Sequence, residues 1–213
     1  MDGPFQPSWL LVGPTGAGKT PLGRILEERG VAGRRYFHFD FGAELRAIAD
    51  ARASAASLSP SELEIIRKSL STGALLEDKE FPIAVKVLRA FTRQRGVEND
   101  DRLVLNGLPR HIGQARMMED IVRVRAVVSL EATSEVVGER ILLDAGGDRI
   151  ERRDDELRAV RQKLVIFRMR TLPLVEYYEN REVPVARLTV SARMTAEDMH
   201  GMIIDLVKKG YLP

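Results

Sequence analysis

The sequence WLLVGPTGAGKT occupies residues 9–20 of the 213-residue chain. Its first part, Trp9–Gly13, is a short apolar run that ends in glycine, which is typical of a buried strand. The residues after the glycines are apolar at helical spacing and predict a helix over Thr20–Arg29. A glycine-rich turn therefore joins the first predicted strand to the first predicted helix.

This turn, Gly13–Thr20, matches the pattern G-x-x-x-x-G-K-[ST] at every fixed position. Its glycines let backbone N–H groups point inward at phosphate oxygens, and the helix that follows adds the positive end of its dipole. Lys19 would place its charge on the β- and γ-phosphates, and the Thr20 hydroxyl would ligate Mg²⁺. The turn is thus a predicted phosphate loop (P-loop) for ATP, formed by Gly13, Thr15, Gly16, Ala17, Gly18, Lys19, Thr20 and Pro21.

Four more short apolar strands are predicted along the chain, at residues 36–40, 103–106, 125–130 and 183–190. The helices predicted between and after them lie at residues 41–53, 59–73, 81–95, 136–143, 154–178 and 195–209. The long fifth one should kink at Pro173. Strands that alternate with helices indicate an α/β protein with the P-loop NTPase fold, in which a five-stranded parallel sheet carries helices on both faces. No linker or repeat divides the chain, so one domain over residues 1–213 is expected.

The composition excludes several classes of function. Hydrophobic residues make up 44% and charged residues 30%, as in ordinary soluble domains, and the net charge of +2 calls for neither nucleic acid nor a membrane as partner. The absence of cysteine excludes disulfides and thiolate chemistry, and the spacing of the three histidines suits no metal site. The first residues, MDGPFQPS, lack the pattern of a signal peptide, and no apolar run is long enough to cross a bilayer. These features favour a cytoplasmic protein.

A second motif follows the third predicted strand. The sequence NGLPRHIGQA, Asn106–Ala115, resembles the DGFPR-x-x-x-Q-A signature of adenylate kinases and related nucleoside monophosphate (NMP) kinases. The resemblance extends over nearly the whole chain through segments in the same order as in that family. These segments are GAELR at 42–46 (TGDxLR in the family), TGALLED at 72–78 (GxLVxD), ERI at 139–141, RRDD at 152–155 (RxDD) and TLPLVEYY at 171–178 (TxPLxxYY).

The resemblance implies transfer of the γ-phosphoryl group of ATP to an NMP, with Mg²⁺ as cofactor and no general base. It makes Lys19, Arg110 and Arg152 the catalytic residues, and it places Thr20 and, through water, Asn106 at the metal. Arg140 would lie on the donor adenine, and the backbone near Arg193 would line it. The NMP site implied by the resemblance comprises Phe41, Gly42, Arg46, Ala74, Leu75, Leu76, Gly107, Arg110, Gln114, Arg152 and Lys163.

Within this set, Arg46 and Arg110 would clamp the acceptor phosphate with bidentate forks. Gln114 would hydrogen-bond the acceptor base, while Arg152 and Lys163 would reach the phosphates when the lid closes. The resemblance further implies a small helical NMP-binding insertion at 41–79, a short lid at 144–153, and a monomer.

Four departures from the family pattern bear on activity. Asn106 replaces the aspartate that helps to hold the metal's hydration shell, so weaker metal binding is expected. Phe41 replaces a threonine or serine beside the acceptor base, and Asp144 replaces an arginine of the lid. The segment between Arg140 and Arg152 is too short for the large lid of long adenylate kinases. Because Gln114 favours AMP, slow phosphorylation of AMP is the working hypothesis.

Two other functions stay open at the level of the sequence. In P-loop kinases that phosphorylate a hydroxyl group of a small metabolite, an aspartate at the end of the second strand is the base and metal partner, and Asp40 occupies that place. Alternatively, Asn106, Phe41 and Asp144 fit a catalytically degenerate protein that binds nucleotide without turnover.

Overall fold

The computed structural model describes residues 6–50, 58–143 and 157–213, and within these ranges five parallel strands form one sheet in the order β2-β3-β1-β4-β5. The strands are β1 (Gln6–Val12), β2 (Tyr36–Asp40), β3 (Arg102–Asn106), β4 (Val122–Glu131) and β5 (Val185–Thr189). The predicted strands are all present, and the predicted five-stranded parallel sheet is confirmed.

The described helices cover both faces of this sheet. They are α1 (Lys19–Arg29), α2 (Phe41–Ala49), α3 (Pro60–Thr72), α4 (Phe81–Gln94), α5 (Ile112–Met118), α6 (Ser134–Leu142), α7 (Leu157–Ile166), α8 (Pro173–Glu179) and α9 (Ala196–Lys208). A 3-10 turn at Asp78–Glu80 precedes α4, and a π-helical turn at Phe167–Thr171 separates α7 from α8.

The side chains of β1 show how the sheet divides the core into two layers. Trp9 and Leu11 pack with α1 and α9 in one apolar cluster, whereas Leu10 and Val12 belong to a second cluster with α4 and α8. Because successive side chains of a strand point to opposite faces, a continuous apolar run is what a strand covered on both sides requires. The strand β1 is thus buried between the two layers, and its carboxyl end leads directly into the glycine-rich turn.

The helix ends follow the local sequence signals closely. Ser59 accepts a hydrogen bond from the backbone N–H of Glu62, whose side chain accepts one from Ser59 N, and Pro60 occupies the first turn of α3. The helix stops at Gly73, which adopts a left-handed conformation. The predicted bounds of this helix are therefore confirmed.

The helix predicted over 154–178 is present within the described residues, but it is divided by a π-helical turn just before Pro173. The π-helical turn Phe167–Thr171 interrupts it, and the Leu172 N–H donates to the Phe167 carbonyl at 2.8 Å, five residues back. Pro173 begins α8, where its missing N–H costs no helical hydrogen bond. The wider turn thus accommodates the proline that was expected only to kink the helix.

Two glycines inside helices should respond in opposite ways when each is replaced by alanine. A Cβ added to Gly23 of α1 would lie 2.2 Å from the buried His38 ring, whereas one added to Gly201 of α9 would meet no atom within 4 Å. We expect Gly23→Ala to lower the free energy of unfolding by about 1–3 kcal/mol through overpacking. Gly201→Ala should raise it by roughly 0.5–1 kcal/mol because alanine is the better helix former. Urea denaturation measures both, and a stabilised Gly23→Ala would contradict the close packing of His38 on α1.

None of the helices in the described ranges is both long and apolar enough to traverse a lipid bilayer.

Candidate active site

The glycine-rich turn lies between the end of β1 and the start of α1. Gly16 and Gly18 have φ angles of 82° and 99°, a region that side chains disfavour. Gly18 is the N-cap of α1, and since it has no side chain, nothing at this position covers the first-turn amides. Phosphate oxygens can therefore accept hydrogen bonds from these amides at the positive end of the helix dipole.

The Lys19 ammonium group is held over the turn by the turn's own carbonyls. Its Nζ donates to the carbonyl oxygens of Gly13 at 2.7 Å and Pro14 at 2.8 Å. These contacts fix a positive charge beside the amides of the turn, where a nucleotide phosphate would compete for it.

A single cleft brings together most of the residues that the sequence predicts for the site. Its lining includes, from that set, Gly13, Thr15, Gly16, Gly18, Lys19, Thr20, Pro21, Phe41, Gly42, Arg46, Ala74, Leu75, Leu76, Asn106, Gly107, Arg110, Gln114, Arg140 and Lys163. The P-loop and the predicted NMP-binding residues therefore face the same space.

Two predicted residues have other positions, and a third lies outside the described residues. Ala17 lies beneath the turn, fully buried in the core, and Arg193 is exposed in the loop between β5 and α9. Arg152 falls outside the described residues, as do Asp144 and the predicted lid at 144–153.

Other residues line the cleft that the sequence does not assign to the nucleotide site; they are Leu11, Asp40, Leu45, Ser69, Leu70, Gly73, Pro109, Phe167 and Thr171. Thr171 belongs to the TLPLVEYY segment, so the motif itself marked it as a candidate. Asp40 is assigned from sequence only in the hydroxyl kinase alternative, as base and metal partner. Ser69, Leu70 and Phe167 lie on helical surfaces with no motif that distinguishes them from ordinary core or surface positions.

The backbone of Arg110 is fixed on both sides. Its N–H donates to Gln114 Oε1 at 2.8 Å, and its carbonyl accepts a hydrogen bond from the Thr171 hydroxyl at 2.8 Å. Burial lowers the pKa of the Arg110 guanidinium, and the nearby Asp40 carboxylate acts in the opposite direction. The guanidinium keeps its charge, because arginine is protonated at any physiological pH. A partly desolvated guanidinium on a fixed backbone is well suited to bind a phosphate.

Gln114 is 1% exposed, and both ends of its amide are engaged within the protein. Its Oε1 accepts the Arg110 N–H, and its Nε2 donates to the Leu76 carbonyl at 2.9 Å. The side chain thus ties the GLPR turn to the segment at 74–76. The hydrogen bond from Gln114 to the acceptor base stays a prediction, and it would require these contacts to be exchanged.

Arg140 joins two loops of the candidate donor site. It is 3% exposed, and it donates from Nε to the Gly16 carbonyl at 3.1 Å and from one terminal nitrogen to the carbonyls of Ser191 at 2.8 Å and Met194 at 2.7 Å. The edge of the guanidinium therefore holds the P-loop against the β5–α9 loop. Stacking on adenine would use the face of the guanidinium instead, and it stays a prediction.

Three polar side chains meet where β2 and β3 end beside α1. The Thr20 hydroxyl donates to Asp40 Oδ2 at 2.6 Å, and Asn106 Nδ2 donates to the same oxygen at 2.9 Å. Hydroxyl and carboxylate oxygens are the hard ligands that Mg²⁺ prefers, so this group fits the metal that the resemblance implies. No group of three or more His, Cys, Asp or Glu side chains that could hold a metal ion occurs in the described part of the chain. A magnesium ion here would therefore depend on nucleotide phosphates for further ligands.

His38, on β2, is buried with Nε2 3.4 Å from Asn106 Nδ2. Burial lowers its pKa from the ordinary value of 6.5, while the negative charges of Asp40 and Glu27 oppose the shift. Below about pH 6.5 the unfolded chain therefore binds more protons than the folded protein. The contribution of neutral His38 to stability is complete above that pH and decreases as the pH falls.

We accordingly expect the free energy of unfolding to fall between pH 7.5 and 5.5 less steeply in His38→Gln than in the wild type. One proton can account for a slope of at most about 1.4 kcal/mol per pH unit. Urea denaturation at several pH values measures the difference. Equal slopes in the two proteins would show that His38 is not the responsible group.

The chain is similar to several curated proteins. It is 32% identical to the adenylate kinase of Synechococcus sp. (strain WH7803) over 81% of this chain and 84% of that protein. The adenylate kinase of Synechococcus sp. (strain CC9311) is 33% identical with the same coverage. The adenylate kinase of Haloarcula marismortui is 27% identical over 95% of this chain and 97% of that protein. No protein-family model matches the chain.

Proposed function

We propose that this chain, which belongs to the adenylate kinase family, transfers the γ-phosphoryl group of ATP to AMP and forms two molecules of ADP. The observation that carries the proposal is the shared cleft, in which the P-loop with Lys19 and the GLPR turn with Arg110 both face the same space. Donor and acceptor phosphates bound to these two elements would meet there.

The arrangement supports transfer by alignment and positive charge. The P-loop amides and Lys19 would hold the β- and γ-phosphates, while Arg46 and Arg110 would hold the phosphate of AMP. Phosphoryl transfer needs little covalent chemistry from the protein, and an acceptor that is already an oxyanion needs no base. Mg²⁺, held with help from the Thr20 hydroxyl, would neutralise charge on the β- and γ-phosphates.

A hydroxyl kinase with Asp40 as base is not favoured. The Asp40 carboxylate already accepts hydrogen bonds from the Ala43 N–H at 2.9 Å, the Thr20 hydroxyl and the Asn106 amide. The curated relatives are named adenylate kinases, which favours a monophosphate over a hydroxyl group as the acceptor. A catalytically degenerate protein would bind the same nucleotides without transferring a phosphoryl group, so an assay of phosphoryl transfer distinguishes it from the proposed kinase.

The further assignments belong to the same proposal and are supported by the sequence motifs. Residues 1–213 form one kinase domain, in which the helices of 41–79 bind the NMP and residues 144–153 form a short lid. Lys19, Arg110 and Arg152 act on the phosphates, and Mg²⁺ is the cofactor. The enzyme is a cytoplasmic monomer, for which light scattering should give a mass near 23.8 kDa.

An assay of ADP formation tests the proposed activity. With ATP and Mg²⁺, we expect AMP to support turnover with kcat/KM at least about tenfold above that of GMP, CMP or UMP, a difference of roughly 1.4 kcal/mol in transition-state binding. The deoxynucleotides serve as further acceptors, and ATP alone gives the background. If no monophosphate raises ADP formation above that background, the chain is not an NMP kinase.

A further inference from the structure

We propose that Asp40, at the end of β2, is the carboxylate that holds the nucleotide-bound Mg²⁺ in this protein, and that Asn106 on β3 positions it. The inference rests on the proposed function, because it assigns the metal-holding carboxylate of the same site. It assigns the charged ligand to Asp40, whereas the sequence-based prediction named only Asn106, acting through water, on this side of the metal.

The sheet places the two residues side by side. Asp40 and Asn106 are partners in the parallel register of β2 and β3, and both lie at the carboxyl ends of their strands, where they line the cleft. Asp40 Oδ2 is 2.6 Å from Thr20 Oγ1, the hydroxyl expected to ligate Mg²⁺. The carboxylate therefore stands within reach of an ion bound at Thr20.

The contacts of Asn106 explain why this strand ends in an amide. Asn106 is 5% exposed, and its Nδ2 lies 2.9 Å from Asp40 Oδ2 and 3.1 Å from Thr20 Oγ1. A carboxylate in its place would put two negative charges at hydrogen-bond distance, which is unfavourable in a buried site. The amide donates to Asp40 instead, so Asn106 adds no negative charge to the site and orients the carboxylate that carries it.

Asp40 is held in place by a second contact. Its Oδ1 accepts the Ala43 N–H at 2.9 Å and so caps α2, the helix that begins with Phe41 and carries Arg46. One oxygen of the carboxylate thus fixes the orientation of the side chain, while the other faces Thr20 and Asn106. The carboxylate at this site therefore lies on the second strand, whereas the family signature has it on the third.

Exchange of the two residues tests this assignment. Asp40→Asn removes the charge but keeps a side chain that can cap α2, and Asn106 can turn its amide to accept from the new one. The double variant Asp40→Asn/Asn106→Asp places the negative charge on β3. It keeps the hydrogen bond between the two side chains, with residue 40 as the donor and residue 106 as the acceptor. Asp205→Asn, on the exposed face of α9, is the matched control.

The measurement is the affinity for ADP by calorimetry, with Mg²⁺ and with EDTA, in each variant. We expect Asp40→Asn to lower the gain in affinity due to Mg²⁺ by about 10–100-fold, as loss of a metal-orienting group typically does. Without metal, its affinity for ADP should equal or exceed that of the wild type, because one negative charge near the phosphates is gone. The double variant should regain the Mg²⁺ effect, and the control should match the wild type.

The ratio of the affinities for ADP with Mg²⁺ and with EDTA is measured within one preparation of each variant. Unfolded protein would lower the apparent number of binding sites but would not change this ratio. Electron paramagnetic resonance of Mn²⁺ with ADP gives a second, direct reading of metal affinity. A full Mg²⁺ effect in Asp40→Asn, or none in the double variant, would overturn the inference. If the wild type fails to phosphorylate AMP but its Mg²⁺ effect still depends on Asp40, only the proposed function is overturned.

Discussion

Arg110→Lys is expected to lower kcat/KM for AMP by about a hundredfold or more, the loss typical when one preorganised donor to a reacting group is removed. Lysine keeps the positive charge, but it is a compact point charge that cannot reproduce the two parallel N–H donors of a guanidinium. The position is demanding because the Arg110 backbone is bonded on both sides, to Gln114 and to Thr171. The rigid backbone at this position would not hold the end of a flexible lysine side chain in place.

The same substitution at Arg116 is the control for Arg110→Lys. Arg116 lies on α5, six residues further along the chain, with an exposed side chain, and Arg116→Lys should retain wild-type kinetics. Affinity for ATP in the absence of AMP should be unchanged in Arg110→Lys, since the residue acts on the acceptor. A loss of ATP affinity with an unchanged kcat/KM for AMP would place Arg110 on the donor side and contradict the assignment.

The parts of this site that were predictable are those that a short segment specifies by itself. The turn at 13–20 needs glycines at fixed spacing, an apolar strand before it and a helix after it, and all of these are local in sequence. Capping residues such as Ser59 and Thr195 are visible for the same reason. The order of five apolar strands also sufficed for the fold class, because parallel strands need helical crossovers.

The contacts that decide how the site residues act depend on tertiary structure. Asp40 and Asn106 are 66 residues apart in sequence, and only the strand order and register make them neighbours. The departure at Asn106 consequently suggested a weakened metal site, whereas the structure pairs it with a nearby carboxylate. Arg140 is similar, since its carbonyl partners at Gly16 and in the β5–α9 loop are 124 and about 50 positions away.

Lys19→Met is expected to lower kcat for ADP formation by roughly a thousandfold, in line with loss of a charge that stabilises the transferring phosphoryl group. Methionine has nearly the length of lysine and fills the same space without the charge. In the structure the ammonium is held by the carbonyls of Gly13 and Pro14, so it is already in place beside the P-loop amides. A phosphate bound to the P-loop would then exchange with these carbonyls for the ammonium group.

Lys208→Met, in the exposed last turn of α9, controls for a change of charge alone and should leave kcat as in the wild type. The two catalytic variants should differ in one further property, the slow hydrolysis of ATP in the absence of AMP. Lys19 acts on the donor, so its loss should suppress this background as well, whereas Arg110→Lys should leave it intact. Lys19 and Arg110 line one cleft, but they belong to the P-loop and to the GLPR turn respectively. If both variants suppressed the background hydrolysis equally, the donor would not be bound by the P-loop alone and the acceptor by the GLPR turn alone.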